Sequence, residues 1–226
     1  MTKKKLKKFY RKLGKRQILI LDPLTTYISP EAEIEASVTI HPGAIIVGKS
    51  KINSFAIIKA NVVIKNSVIG KTTVVKEGCI IENSITGNYC DIGPIARLKN
   101  GTIIKSGTHI ESFVEIENSI IGPHTKIGQN VYIGDAKIGQ NVSIGAGTKI
   151  ANQDGKKRNE TIIQDKVYIG VNVSLVAPIK IGKGAYISAG STITEDVPHN
   201  NLSFARAKQT NQPHQSKKNH KQKNDP

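Results

Sequence analysis

From Ile34 to Ile193 an aliphatic residue returns about every six positions, and a small or β-branched residue follows four places later. The register is clearest in SIIGPHTKIGQNVYIGDAKIGQNVSIGAG. There Ile121, Ile127, Ile133, Ile138 and Ile144 open successive units of the form aliphatic, Gly, two polar, small, any. A helix repeats near 3.6 residues and a half-buried strand near 2, so neither explains this spacing. A hexapeptide period predicts a parallel β-helix, in which each unit supplies one short strand and one corner, and stacked coils complete each other's core. At roughly 18 residues per coil, about nine coils use most of the chain.

Corners give the same answer. Gly43, Asn61, Gly101, Asn130, Asn141 and Gly184 occupy turn positions, where left-handed backbone angles favour Gly and Asn. The units KNSVIG at Lys65, ENSITG at Glu82 and ENSIIG at Glu117 are one residue short and mark one recurring corner. The period breaks at ANQDGKKRNETI, residues 151–162, and resumes at Ile163, which predicts a loop outside the prism and a first place to look for function. Leu6, Phe9, Tyr10 and Leu13 follow i, i+3, i+4, i+7 spacing and predict a short amphipathic helix. A strand-like QILIL follows it into the first repeats. The resulting division is a basic segment over 1–20, repeats over 21–206 and a polar, disordered tail over 207–226.

Composition changes the picture in one respect. The net charge of +16 suggests a nucleic-acid partner until it is located. Residues 1–16 hold nine Lys or Arg and no acid, and residues 206–226 hold six against Asp225. The coil body, 17–205, has 18 basic and 16 acidic residues, which argues against a phosphate-tracking groove on the repeats. The N-terminal segment is expected to cap the first coil, with membrane or RNA contact as the alternatives, and the basic tails together to offer contact with an anionic membrane or another protein. Absence of Trp and only four Phe fit a prism filled by stacked Ile and Val. Cys79 and Cys90 fall at small inward positions on different faces and read as core filler, in keeping with a reducing cytoplasm. No signal peptide or bilayer-spanning run is visible, and a cytoplasmic location is expected.

No P-loop, dinucleotide fingerprint, Cys-rich zinc pattern or nucleophile elbow is present, so no metal is expected. Among the histidines, His41 and His124 read as corner residues and His109 as an outward strand residue. His199, His214 and His220 lie beyond the coils. From Leu21 to Arg206 the chain resembles the acetyltransferase domain of the bacterial bifunctional enzyme GlmU. The resemblance is carried by LDPLTTYISP, KNSVIG, IGPIARLKNG, SFVEI, YIGDAKIG, SIGAGT, NQDG, LVAPIKIGKGAYISAGSTITEDVP and a terminal ARA. No counterpart of that enzyme's uridylyltransferase half occurs in this sequence.

The resemblance implies a left-handed parallel β-helix forming a homotrimer. It implies acetyl transfer from acetyl-CoA to the amine of glucosamine 1-phosphate, in UDP-N-acetylglucosamine and cell-envelope precursor synthesis. The family's base is a histidine three places before the Tyr of YIGD, and Gln129 stands there, unable to accept a proton near neutral pH. For the acceptor, the family's phosphate arginine matches Lys99, and its next basic residue matches Glu117, a carboxylate expected to repel a sugar phosphate. The loop tyrosine matches Gln153, while Tyr132, Asn152 and Arg158 match acceptor-binding side chains. For the coenzyme, Ala146 and Ala189 match groove residues, Val171 replaces a serine, and Arg206 matches an arginine near the coenzyme phosphates. His109 projects from the strand one coil below Lys126, roughly 10 Å from the Gln129 corner by strand spacings, too far for direct proton transfer. Two functions follow: an acetyltransferase with impaired or altered catalysis, and a non-catalytic trimeric scaffold or regulator derived from one.

Overall fold

The computed structural model describes residues 17–211. The amphipathic helix expected before Gln17 and most of the tail beyond Asn211 lie outside the described residues. Short strands of two or three residues assemble into three parallel sheets of 11, 10 and 9 strands. Along the stack each strand pairs with the third strand before and after it, except that the last strand, Leu202–Ser203, pairs with the second strand before it, so one coil contributes one strand to each face of a triangular prism.

Pairing registers measure the coil length. Thr39 pairs Ile57 and Ile57 pairs Val74, steps of 18 and 17 residues. The shorter coils come from the NS corners read in the sequence, where Asn66, Asn83 and Asn118 sit at φ of 47°, 47° and 45°. Ser143 pairs Tyr168, 25 residues on, because the 151–162 segment loops out between two coils that still stack. All six Gly and Asn corner residues named from the sequence have positive φ. So do Phe55, Tyr89, Ile95 and Phe113, bulky residues that local propensity disfavours there.

The first residue of each aliphatic unit points inward. Ile28, Ile46, Ile64, Ile81, Leu98, Ile116 and Ile133 are fully buried in one face, and equivalent Ile columns fill the other two. Burying each such side chain contributes about 1.5–3 kcal/mol, and only neighbouring coils share the benefit. Close coil stacking explains the Gly after the aliphatic residue. A Cβ on Gly122 would meet the Gly139 carbonyl carbon at 2.3 Å, and one on Gly170 the Ala189 nitrogen at 2.5 Å. Cys79 and Cys90 are free, buried thiols among these columns, and burial pushes the Cys79 thiol up to about 11.

Candidate active site

One face carries a run of charged and polar side chains on consecutive coils. Strands Arg97–Lys99, Glu115–Glu117, Tyr132–Gly134 and Lys149–Ala151 stack in register, so Arg97, Glu115, Tyr132 and Lys149 form one outward row. Two residues on, Lys99, Glu117 and Gly134 form a second row. Gly134 has a local reason: a Cβ there would lie 2.3 Å from the Asn152 amide nitrogen and 2.8 Å from the Tyr132 hydroxyl. Its missing side chain makes room for both groups.

The second row holds a dense network around two carboxylates. Glu117, only 8% exposed, accepts from the Tyr132 hydroxyl at 2.7 Å, from Asn100 at 3.1 Å and from the Arg158 guanidinium. Lys99 approaches Glu117 at 3.4 Å and Glu115 at 2.5 Å. Asp135 accepts from Asn118, Asn152 and Arg158, each at 2.6 Å. Burial alone pushes Glu117 up, but hydrogen bonds from Tyr132 and Arg158 and the charges of Lys99 and Arg158 outweigh it, leaving the carboxyl below its ordinary range. Asp135 is lowered in the same way, against its burial, chiefly by Asn118 and Arg158. Burial and the Glu117 carboxylate push the Tyr132 phenol up to about 12, so it stays a donor at neutral pH.

Loop 151–162 closes over this network as a small hairpin. Gln153 and Arg158 form an antiparallel bridge, and the Asn159 amide donates to the Asn152 carbonyl at 2.7 Å. Asp154 caps the turn by accepting from the Lys156 and Lys157 amides, both at 2.9 Å, which holds its carboxyl down at about 2. Arg158 thereby reaches back to two coils at once, and Gln153 is left exposed.

A separate set lies on the corner leading into this face. The Gly147 amide donates to the Gln129 carbonyl, Asn172 to Ala146 and Gly190 to Val171, at 2.9, 2.8 and 2.9 Å. Gln129, Ala146, Val171 and Ala189 therefore stack one per coil. Arg206 then crosses the top of this line, its guanidinium donating to the Ala189 carbonyl at 3.1 Å. The structure thus gathers the sequence candidates into two groups, the corner line and the charged cluster, while Gln153 points into neither. His109 pairs Lys126 in register as expected, but both of its ring nitrogens are engaged, with Asp91 at 3.3 Å and Glu111 at 2.7 Å. Glu115, Asp135, Asn100 and Asn118 are cluster members that the sequence reading passed over. Register carries a signal for Asp135, which occupies at φ 49° the corner filled by Asn in other coils. Among the described residues no His, Cys, Asp and Glu side chains gather as a metal site.

Comparison with known proteins places this arrangement. Residues 27–135 match the GMPPB C-terminal domain model and residues 160–195 the bacterial transferase hexapeptide (six repeats) model. The bifunctional protein GlmU of Thermoanaerobacter pseudethanolicus is 47% identical over 194 residues, 86% of this chain and 42% of that protein. The GlmU of an Exiguobacterium species is 40% identical over 205 residues, 91% of this chain and 45% of that protein. The chain belongs to the GlmU C-terminal, acetyltransferase-like family. It spans under half the length of these GlmU relatives. Among solved structures, the UDP-N-acetylglucosamine acyltransferase of Campylobacter jejuni superposes with a TM-score of 0.51 at 16% identity, covering 84% of this chain and 70% of that one. The Bacteroides fragilis LpxA gives 0.50 at 23%, covering 77% and 68%. The fold is that of a left-handed parallel β-helix, the hand that GlmU resemblance implied and that a hexapeptide period alone leaves undecided.

Proposed function

We propose that this chain is an acetyl-CoA-dependent N-acetyltransferase domain acting on an amino-sugar acceptor, glucosamine 1-phosphate or a changed one. Its place would be UDP-N-acetylglucosamine and cell-envelope precursor synthesis in the cytoplasm. The observation that carries the reading is the corner line of Gln129, Ala146, Val171 and Ala189 with Arg206 across its end. With small side chains at Ala146 and Ala189 it is an edge along which a pantetheine arm can lie, with a guanidinium for the coenzyme phosphates. Lys99, Glu117, Tyr132, Asn152 and Arg158 form the acceptor side. The chain assembles as a homotrimer, with residues 21–206 as the repeat unit and the basic 1–20 and polar 207–226 segments as candidates for membrane or protein contact.

In the reaction the amine nitrogen attacks the thioester carbonyl, the C–S bond breaks, and the coenzyme leaves as a thiol that takes up the proton lost by the amine. Gln129 can orient the amine through its carboxamide but cannot take that proton. His109, held between Asp91 and Glu111, is not free to replace it. Catalysis then rests on proximity and on the fraction of acceptor already present as free base, a loss of roughly 100- to 10,000-fold against a positioned base.

The engagement of His109 and the closed charge network also favour a second reading, a non-catalytic scaffold. Thiol release from acetyl-CoA in the presence of glucosamine or glucosamine 1-phosphate separates the two. Turnover above the uncatalysed rate removes the scaffold, whereas no turnover combined with no thermal shift on adding CoA removes the enzyme.

A further inference from the structure

Glu117 and Asp135 act as built-in anions. Six donors converge on these two carboxylates: Lys99, Arg158, Asn100, Asn118, Asn152 and the Tyr132 hydroxyl. Donors of this kind would hold an external phosphate, and here each is already engaged by a carboxylate inside the protein. Their positions are also fixed, since both carboxylate side chains are only 10% exposed. Lys99 and Arg158 together face three carboxylates, Glu115, Glu117 and Asp135, so both cations are matched by internal anions before any ligand arrives.

A cavity of about 520 Å³ opens beside the cluster, lined in part by Asn118, Asp135, Lys137, Arg158 and Glu160. That volume suits a sugar-sized ligand. Its second cation, Lys137, pairs with Glu160 at 2.7 Å at the exposed edge of the cavity. The outward row does hold Arg97 and Lys149, one coil below Glu115 and one above Tyr132. Lys149 is turned onto the Asn130 carbonyl at 2.5 Å, and Arg97 is exposed. A phosphate held by either would sit at the rim, outside the cluster.

We infer that the acceptor is an amine carrying no phosphate, and that Glu117 is the residue setting this specificity. The inference rests on the acyl-transfer reading for its amine and adds the chemical class. A phosphate in the cluster would have to displace an internal carboxylate from prealigned donors, at close range to another negative charge. A neutral sugar or an ammonium group meets no such competition.

Binding of glucosamine and of glucosamine 1-phosphate to the full chain is titrated by calorimetry without donor, and CoA is titrated separately. The expected result is glucosamine tighter by about tenfold or more, a gap of at least one decade in Kd. Glu117→Gln, which frees donors at constant side-chain shape, should shift the ratio of the two affinities toward the phosphate by a similar factor, and that gain should fall with added salt. Glu115→Gln, a substitution at a more exposed carboxylate that pairs with Lys99, should shift the ratio in the same direction if the Glu117 variant does not fold. Equal or tighter binding of glucosamine 1-phosphate by the unmodified chain overturns the inference, as does equal weakening of both amines in Glu117→Gln. Binding of CoA with neither amine bound overturns it while leaving the donor assignment standing. Glucosamine selectivity without CoA binding removes the acyl-transfer reading and overturns the assignment of the amine as an acceptor, leaving only a phosphate-excluding site set by Glu117.

Discussion

An amine attacks a thioester only as its free base, so on the proposed acyl transfer the side chain at position 129 sets how the rate responds to pH. With a carboxamide there, the rate should climb about tenfold per pH unit until the amine's own pKa is passed. Gln129→His supplies an imidazole with an ordinary pKa near 6.5. Steady-state assays between pH 6 and 9 should then show a gain of roughly 100-fold near neutrality and a plateau above the histidine pKa. An unchanged profile would mean that the corner does not face the acceptor amine. The same scale shows what a sequence can and cannot disclose about a residue. Gln129, Ala146, Val171 and Ala189 were legible through the GlmU resemblance, and the repeat then puts their equivalent positions on one line. The partners of Glu117 were not, since a carboxylate read alone looks repulsive, and only the fold brings Lys99, Arg158 and Tyr132 onto it.

Loop 151–162 is tied to the solenoid by Asn152 on Asp135, Glu160 on Lys137 and, across the longest span, Arg158. Arg158 crosses from the hairpin to Glu117 and Asp135, and because its side chain is about half exposed, solvent screens part of the attraction. Arg158→Ala should therefore cost about 1–2 kcal/mol, less than a fully buried pair, leaving two carboxylates under-compensated. Hydrogen exchange should accelerate over residues 153–160 while the flanking strands stay protected. The cluster also fixes an acid limit. Glu117 and Asp135 both titrate below their ordinary values in the folded state. Their contribution is complete above the unfolded carboxylate range, about 4, and is lost as pH falls through the lowered folded values. The thermal midpoint should hold from pH 7 to about pH 5 and then drop, and Glu117→Gln should flatten that drop. The break in the period disclosed the loop; the charge network that anchors it depends on contacts between coils, which periodicity does not encode.

Across the whole molecule, stability propagates between neighbouring coils only. Ile116 is fully buried, in register with Leu98 below and Ile133 above. Ile116→Ala should cost about 2–5 kcal/mol and split the stack, giving a broadened or two-step urea transition. The same change at Ile28, buried near the first coil, should fray that end and leave the main transition sharp. Sequence by itself determined the parallel β-helix, its coil length, the short NS corners and the place of the loop. Each follows from side-chain size and backbone freedom recurring at a fixed interval. Tertiary structure decided that Phe55, Tyr89, Ile95 and Phe113 accept left-handed angles, since stacking of the corners between coils overrides local preference. It also decided that the charged cluster carries its own anions, because charges 18 to 41 residues apart, from Lys99 and Arg158 to Glu117, meet only when coils stack and the loop folds back.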